Sequence, residues 1–382
     1  MAAEPASGPS PAGGPPSTPD SHPAQDARLS GLTRTEKALI GVVVVLTVLA
    51  GVTRYAHGVS RVIAFVLATL ALAGLAWIVA LATEEVGQRL GASATGLLQS
   101  TVGNLPEFFV VIFALQAGER VVAETAILGS ILVNALLVLG LVIVAGSLRE
   151  RDGIMRFNPR LPNDTATLLL VSSFIIVLIG LSQGTGDPAS RHAQTISIVG
   201  AVAILVVYAT WLRQYLTTPE SAGTHVRGQP RLSLPTSIIL LVAAGTASAF
   251  VSDWFVKALE PTIETLHISP AFAGLVIVAI AGNAVEHVAG VVLAAKGQAD
   301  LAISVVKNSV AQIAAFLYPL LVLVSLLTAT SLTFSLAPVY IGALLGTAVI
   351  VWQITGDGEA TVFEGVALIA AFVILATVAA FE

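Results

Sequence analysis

Two stretches of the chain, Gly103-Asn104-Leu105-Pro106-Glu107 and Gly282-Asn283-Ala284-Val285-Glu286, share the pattern Gly-Asn-x-x-Glu. The second follows the first at an offset of 179 in the numbering, from position 107 to position 286. The same offset carries Gly118 onto Gly297 and Ser130 onto Ser309 without a gap. One repetition over so long a distance indicates an internal duplication of the whole chain, because solenoid repeats recur several times with a shorter period.

Both motifs lie inside apolar segments of a very hydrophobic chain. Of 382 residues, 55% are hydrophobic and 11% are charged, and the mean hydropathy is +0.89. A soluble domain carries about 25% charged residues. Apolar runs long enough to cross a bilayer recur along the length, and lipid offers the backbone no hydrogen-bond partner, so each run must form a helix.

The sequence therefore predicts an all-α polytopic membrane protein with eleven transmembrane helices. One leading helix, 38–53, precedes two five-helix repeats, 60–212 and 236–381, which a cytoplasmic loop at 213–235 joins. Because five spans separate the third span from the eighth, the two motifs cross the membrane in opposite directions, which is typical of inverted-repeat transporters. The predicted spans are 38–53, 60–82, 92–115, 121–145, 165–182, 193–212, 236–256, 270–295, 300–327, 335–352 and 360–381.

The distribution of Lys and Arg predicts the orientation. With a cytoplasmic N-terminus, twelve of these residues fall in inside segments and five in outside segments, with Lys307 left within a span. The positive-inside rule favours this orientation, which puts the C-terminus outside. We expect an integral protein of the cell (plasma) membrane. The five outside cations are Arg54, Arg61, Arg120, Arg191 and Lys257.

The segment 1–31 differs in composition from the rest of the chain. It is rich in Pro, Gly, Ser and Ala, so we predict a disordered N-terminal tail at 1–31 and no signal peptide. The chain has no cysteine, which excludes thiolate ligands and disulfides, and its net charge of −5 argues against a nucleic-acid partner. The sequence carries no signal for an oligomeric state.

The two glutamates, Glu107 and Glu286, are the predicted metal ligands. A carboxylate inside a span costs about 2.5–3.5 kcal/mol or more at the membrane centre, so two at equivalent places indicate function. Asn104 and Asn283 stand three residues before them and share their helix faces. Carboxylate and amide oxygens, with water and backbone carbonyls, are what Ca²⁺ binds. We expect Ca²⁺ as the transported substrate and no cofactor.

Backbone breaks at the two motifs are also expected. Glycine loosens the helix at Gly103 and Gly282, and Pro106 has no N–H, which deprives the carbonyl of Val102 of its helical partner. A carbonyl freed at this depth should line a cavity or bind an ion. Close helix packing is the alternative role of the two glycines.

Polar residues on the spans that follow the two motifs are further candidates for the site, with less support from the sequence. Asn134 and Gln312 could complete it, with Ser130 and Ser309 next in order, although such residues also hold membrane helices together. His287 could relay protons or be a structural histidine. These alternatives stay open at the level of sequence.

The same carboxylates can couple the metal to protons. Two nearby carboxylates in a medium of low dielectric constant resist joint ionisation, so at least one should bind a proton more tightly. Metal would then displace protons and protons would displace metal. If the empty, doubly charged site cannot reorient, exchange is obligatory. No catalytic dyad or metal-ligating histidine pair points to an enzyme.

At these residues the chain resembles the cation/proton (Ca²⁺/H⁺) exchanger branch of the calcium/cation antiporter superfamily. The resemblance spans about 38–381 and is carried by 96–107 with 112–115, and by 274–277 with 282–287 and 312–314. It implies Ca²⁺ coordination by Glu107 and Glu286, helped by backbone oxygens around Gly103 and Gly282. It further implies alternating access by sliding of the first two helices of each repeat. His287 and Gln312 favour H⁺ over Na⁺ as the counter-ion.

Three departures from the family pattern stand out. Pro106 replaces a small or β-branched residue, and the loop at 213–235 lacks the acidic segment of many eukaryotic relatives. Lys307-Asn308 replaces an apolar residue and a glycine. If Lys307 faces the site, its charge competes with Ca²⁺; if it faces the lipid edge, it can snorkel or pair elsewhere.

Two other functions remain compatible with the sequence. One is exchange of Na⁺ or K⁺ for H⁺ on the same fold, with Lys307 replacing one charge of the divalent ion. The other is a membrane sensor or scaffold that keeps the fold without transport.

Overall fold

The computed structural model of the chain describes residues 31–56, 58–90, 98, 101–217, 230–328 and 330–382. The predicted tail, apart from Gly31, and most of the predicted loop at 213–235 lie outside the described residues. So does most of the first half of the third predicted span, 92–115.

The described chain is almost entirely helical. Two three-residue strands form an antiparallel ribbon, β1–β2, which pairs Met155 with Ala360. In chain order the elements are α1 (Arg34–Tyr55), α2 (Arg61–Leu90), α3 (Leu105–Ala117), α4 (Arg120–Ser147), β1 (Ile154–Arg156), α5 (Arg160–Thr185), α6 (Ala193–Thr217), α7 (Leu234–Leu266), α8 (Pro270–Gly282), α9 (Ala284–Ala295), α10 (Ala299–Leu327), α11 (Pro338–Thr355), β2 (Glu359–Thr361) and α12 (Val362–Ala380).

The helices confirm a polytopic membrane protein. Within the described residues, nine helices are long and apolar enough to cross a bilayer, and α8 with α9 makes a tenth, bent span. The predicted third span is represented by α3, which is apolar but only 13 residues long. The number eleven therefore stays a prediction. Several helices extend beyond the predicted bounds; α1, for example, covers 34–55 rather than 38–53.

Local backbone features recur at the offset that relates the two motifs. The π-helical segment Val133–Val138 in α4 has its counterpart in Ile313–Leu317 in α10. Gly118 and Gly297 both adopt left-handed conformations, with φ of 85° and 77°, which glycine accepts without a Cβ clash. A further π-helical segment, Ala273–Val278, lies in α8. Such segments are rare and concentrate at functional sites.

The core is built around α4, which packs on α3, α8, α9 and α12. Leu128, Leu132, Val133 and Leu139 of this helix are 0% exposed. A second layer consists of α5, α6 and α11, in which α5 packs on both α6 and α11, and α5 and α6 contact α10. On the opposite flank α1, α2 and α7 pack together, and the contact between α2 and α7 is the most extensive between any two elements.

Segments predicted to be cytoplasmic are in contact with one another. The ribbon joins 154–156 to 359–361. The Asn158 N–H donates to Asp300 Oδ1 at 2.7 Å, and Arg149 Nη1 donates to the carbonyl of Ala295 at 3.2 Å. The sequence pattern did not predict the ribbon, because a pairing over two hundred residues leaves no local signal.

Segments predicted to face the outside also meet. Arg120 Nη2 donates to Thr333 Oγ1 at 3.4 Å, and Ser335 Oγ donates to Gln183 Oε1 at 2.7 Å. Thr262 Oγ1 contacts the carbonyl oxygen of Arg61 at 3.4 Å. The contacts on both sides agree with the predicted alternation of the spans.

The close approach of α4 and α12 gives a test of the packing. A Cβ at Gly365 would lie 2.8 Å from the Gly140 carbonyl oxygen, so Gly365→Val must push the helices apart. We expect a loss of about 1–3 kcal/mol of stability and a lower midpoint of thermal unfolding in detergent. Gly342→Val is the control, since a Cβ there has nothing within 4 Å; equal midpoints for the two variants would contradict this packing.

Candidate functional site

Both Gly-Asn-x-x-Glu motifs interrupt the helical backbone at the asparagine. Asn104 has φ −96° and ψ 21°, and Asn283 has φ −106° and ψ 12°. The chain is helical on both sides, in α3 after Asn104 and in α8 and α9 around Asn283. The second break bends the span by 63°. The two motifs thus adopt the same local structure.

Proline is not the cause of these breaks. Pro106 lies in the first turn of α3, where a missing N–H costs nothing. The second motif breaks at the same position without a proline. Pro106 still offers no N–H to the Val102 carbonyl, as expected from the sequence, although the break itself does not require a proline. Val102 and Gly103 directly precede the break, and Gly282 precedes the equivalent one.

Glu107 lies against the motif of the other half. Its side chain is buried at 7% exposure, and a Cβ added to Gly282 would lie 2.7 Å from Glu107 Oε1. Only glycine leaves space for the carboxylate at this distance. Glu107 is also close enough to Glu286 for the two charges to repel each other. The structure therefore brings the two carboxylates to one place from distant parts of the sequence.

The two asparagines bond to second helices of the opposite halves. Asn104 Nδ2 donates to Gln312 Oε1 at 3.4 Å, in α10. Asn283 Nδ2 donates to Ser130 Oγ at 3.1 Å, in α4, and to the carbonyl of Ala279 at 3.1 Å. Since the amide nitrogens make these bonds, the amide oxygens remain available as ligands.

Several oxygens at the site are buried without a hydrogen-bond partner. They include Glu107 Oε2, Glu286 Oε2 and Asn134 Oδ1, and the Ser309 hydroxyl lies beside the Glu286 carboxylate. Asn134 Nδ2 is held by the Ser130 carbonyl at 2.9 Å. Buried polar atoms are nearly always paired, so a group of unpaired oxygens indicates a place for a cation.

The composition of the site limits what it can bind. Among the described residues, no three His, Asp or Glu side chains converge on one point. Amide, hydroxyl, carbonyl and water oxygens must therefore complete any coordination by the two glutamates. Such an all-oxygen set suits a hard cation. His287 adjoins it, with a buried Nε2 that lacks a hydrogen-bond partner.

Lys307 points away from the two glutamates. Its side chain is 0% exposed, and Nζ donates to Thr355 Oγ1 at 3.3 Å, at the last residue of α11. Lys307 and Ser309 are two residues apart on α10, which puts them about 200° apart around the helix. The amine thus lies between α10 and α11, where it can interact with the carbonyl end of α11. It neither faces the site nor snorkels to the lipid edge.

The helices that carry the two glutamates are unequally covered. Phe109 and Phe113 of α3 are half-buried, whereas their counterparts at the same offset, Val288 and Val292 of α9, are 64% and 42% exposed. The reason is that α7 packs along α3, while α2 makes far fewer contacts with α9. The less covered side is the one at which α9 ends, beside the ribbon.

One buried acid near this side was not predicted from the sequence. Glu85 is 1% exposed, whereas its neighbour Glu84 is exposed and accepts a hydrogen bond from Gln88 at 3.2 Å. No sequence periodicity separates the two acids, because α2 is apolar on every face; burial in the structure shows that Leu75, Ile78 and Ala82 form a stripe that continues at Glu85.

Comparison with known proteins identifies the family. The sequence model of the sodium/calcium exchanger protein family matches residues 60–213 and 236–381. The chain belongs to the sodium/calcium exchanger protein family. The two matched stretches have nearly the bounds of the two predicted repeats.

Individual family members match most of the chain. A Ca(2+)/H(+) antiporter of Synechocystis sp. is 31% identical over 341 residues, which cover 82% of this chain and 89% of that protein. The Ca(2+)/H(+) antiporter ChaA of Bacillus subtilis is 31% identical, covering 77% and 85%. A vacuolar calcium ion transporter of Schizosaccharomyces pombe is 32% identical, covering 81% and 77%.

Solved structures share the fold. Native YfkE superposes with a TM-score of 0.74 and 26% identity, covering 91% of this chain and 99% of that one. The H⁺/Ca²⁺ exchanger CAX gives a TM-score of 0.69 at 13% identity, covering 91% and 93%. The arrangement of helices in this family member is therefore that of known exchangers.

The direction of Lys307 yields a prediction. Because its amine bonds to Thr355 rather than to the glutamates, Lys307→Met should change the affinity for Ca²⁺ less than about twofold. Isothermal titration of Ca²⁺ into the purified protein measures this. Gln312→Leu is the comparison, since it removes the partner of Asn104 and should weaken binding. A Lys307→Met variant that binds Ca²⁺ tenfold more tightly would place the charge at the site.

Proposed function

We propose that this protein is a secondary active antiporter that exchanges Ca²⁺ for H⁺ by alternating access. The observation that carries the proposal is the approach of Glu107 to Gly282 and Glu286, in a buried site that offers only oxygen ligands. The names of the relatives, Ca(2+)/H(+) antiporter and vacuolar calcium ion transporter, support the choice of ions.

The proposed cation ligands are Glu107 and Glu286, with the amide oxygens of Asn104 and Asn283. Backbone oxygens at the two breaks, around Val102, Gly103 and Gly282, would complete the coordination. Asn134 contributes an unpaired oxygen and Ser309 a hydroxyl beside Glu286, while Ser130 and Gln312 orient the two asparagines through the hydrogen bonds described above.

Proton coupling follows from the chemistry of the two carboxylates. Repulsion between Glu107 and Glu286 makes the empty, doubly ionised site unfavourable. Either a divalent cation or protons remove that repulsion, so the site is neutralised in both loaded states and binds them competitively. We infer that His287, which follows Glu286 and has a buried Nε2 without a hydrogen-bond partner, relays protons to and from that glutamate.

Alternating access is supported by the unequal covering of α3 and α9. We infer two inverted five-helix repeats after one leading helix, eleven spans in all, with the N-terminus in the cytoplasm and the C-terminus outside. In that orientation the described conformation is open toward the cytoplasm, because α9 ends on that side. The family and the charge distribution favour the cell membrane as its location.

Flux through proteoliposomes tests the function. With an imposed pH gradient, the wild type should take up Ca²⁺ and release H⁺, and Glu107→Gln or Glu286→Gln should reduce exchange at least 100-fold by removing one charge of the ligand pair. Glu150→Gln, a change at an exposed loop carboxylate, is the control. Full exchange by the double Gln variant would refute the proposal.

The same vesicles separate the alternatives. Ca²⁺, Mn²⁺, Na⁺ and K⁺ are compared under one pH gradient. Uptake of Na⁺ or K⁺ without Ca²⁺ would identify a monovalent cation/proton antiporter. No flux of any of the four ions would favour a sensor or scaffold.

A further inference from the structure

The buried carboxylate of Glu85 joins the inner end of α2 to the beginning of α7. Glu85 Oε2 accepts from the backbone N–H of Arg231 at 2.9 Å and of Leu232 at 3.1 Å. Glu85 Oε1 accepts from Arg231 Nε at 3.1 Å. Both oxygens are therefore engaged, and the side chain, at 1% exposure, is closed to solvent. Because its oxygens are already bonded, Glu85 is suited to connect helices rather than to bind an ion. We call the connection of Glu85 with Arg231 and Leu232 the joint.

The leading helix is attached to the same point. Arg231 Nη1 donates to Glu36 Oε1 at 2.9 Å, and Glu36 forms the capping box that starts α1. The hydrogen bond with Glu36, ahead of that with Glu85, raises the pKa of Arg231, so the arginine stays charged throughout the working range. Leu32, Leu81 and Leu232 form a small apolar cluster beside this joint.

Arg89 strengthens the connection from the last turn of α2. It donates to the carbonyl of Glu85 at 2.6 Å and to the carbonyl of Leu232. The residues before α7 are thus held through both their N–H and their C=O groups. Such bonds to charged groups in a buried place are the strong ones, and loss of one partner leaves the other charge uncompensated.

The joint exists at one end of the α2–α7 pair. At the other end the helices meet through the Phe65–Phe255 ring contact, with centroids 5.0 Å apart, and through Thr262. Glu264, which follows Glu85 by the offset of 179, is exposed. Among the described residues, the ionic connection between α2 and α7 is therefore found only on the side on which α9 is less covered.

Helices α2 and α7 are the ones whose contacts with the glutamate helices differ. In the described conformation α7 covers α3, while α2 leaves α9 largely uncovered. Exposure of the site on the other side requires α7 to leave α3 and α2 to cover α9. If the two helices moved independently, both sides could be uncovered at once, and Ca²⁺ would leak down its gradient.

We propose that Glu85 is a positioning residue that makes α2 and α7 move together, with α1 attached through Arg231 and Glu36. The proposal rests on the antiport function proposed above. Glu85 does not contact the transported ion. It ensures that α2 and α7 change their contacts with α9 and α3 at the same time. Its loss should therefore affect the ratio of Ca²⁺ to H⁺ moved as well as the rate.

The first test is Glu85→Gln in proteoliposomes. The amide keeps the size, but in either orientation its NH₂ group opposes an N–H donor: the backbone N–H groups of Arg231 and Leu232, or the Arg231 Nε–H. We expect at least tenfold slower exchange and a Ca²⁺ leak without H⁺ movement, measured with Ca²⁺ and pH indicators in the same vesicles. Glu264→Gln is the matched control. Wild-type rate and stoichiometry in a folded Glu85→Gln would overturn the proposal.

Crosslinking decides the question even if that variant does not fold. The chain has no cysteine, so introduced pairs are unique. A short bifunctional thiol reagent that joins Leu81→Cys to Leu232→Cys should leave exchange intact. The same reagent joining Leu105→Cys to Gly245→Cys, across the contact of α3 with α7, should stop it. Loss of exchange with the first pair would show that α2 and α7 must separate.

The outcomes distinguish the two proposals. Absence of exchange in wild-type vesicles would reject the antiport function. Normal wild-type exchange, together with unchanged coupling in Glu85→Gln or a block by the Leu81–Leu232 crosslink, would reject only the role of Glu85.

Discussion

The ion site depends on the contact of one buried carboxylate with a glycine, whose missing side chain leaves the space for it. Glu107 reaches Gly282 across the boundary between the halves, and a Cβ there would lie 2.7 Å from its oxygen. Both helices break at the asparagine beside this approach. The hydrogen bonds from Asn104 to Gln312 and from Asn283 to Ser130 then hold the breaks together.

A site made by two halves can be open to only one side if the halves are covered unequally. Here α7 lies over α3, and α9 is left more exposed. The duplication supplies two equivalent arrangements, and the difference between them is what a transporter exchanges during its cycle. The buried Glu85 lies between α2 and the beginning of α7, the two helices whose contacts with the glutamate helices differ.

Polar residues buried in a membrane bundle serve different purposes here. The oxygens around Glu107 and Glu286 lack partners, which suits a site that receives an ion. Glu85 has all its bonds made within the protein, which suits a fixed joint. Lys307 bonds to Thr355 at the end of α11. All of these groups are charged and lie within the bundle. What distinguishes the two glutamates of the site from Glu85 and Lys307 is that they have carboxylate oxygens without a hydrogen-bond partner.

Much of this protein follows from the sequence by itself. Composition determines a helical membrane protein, and the repeated Gly-Asn-x-x-Glu pattern singles out Glu107 and Glu286, because carboxylates are too costly in lipid to recur there by accident. Only the tertiary structure decided the direction of Lys307, the choice of Glu85 over Glu84, and the covering of α3 rather than α9. In α2 and α10 the spacing tells which residues share a helix face, but not which neighbour that face packs against. The partners of that face come from residues far away in the chain, and packing alone brings them together.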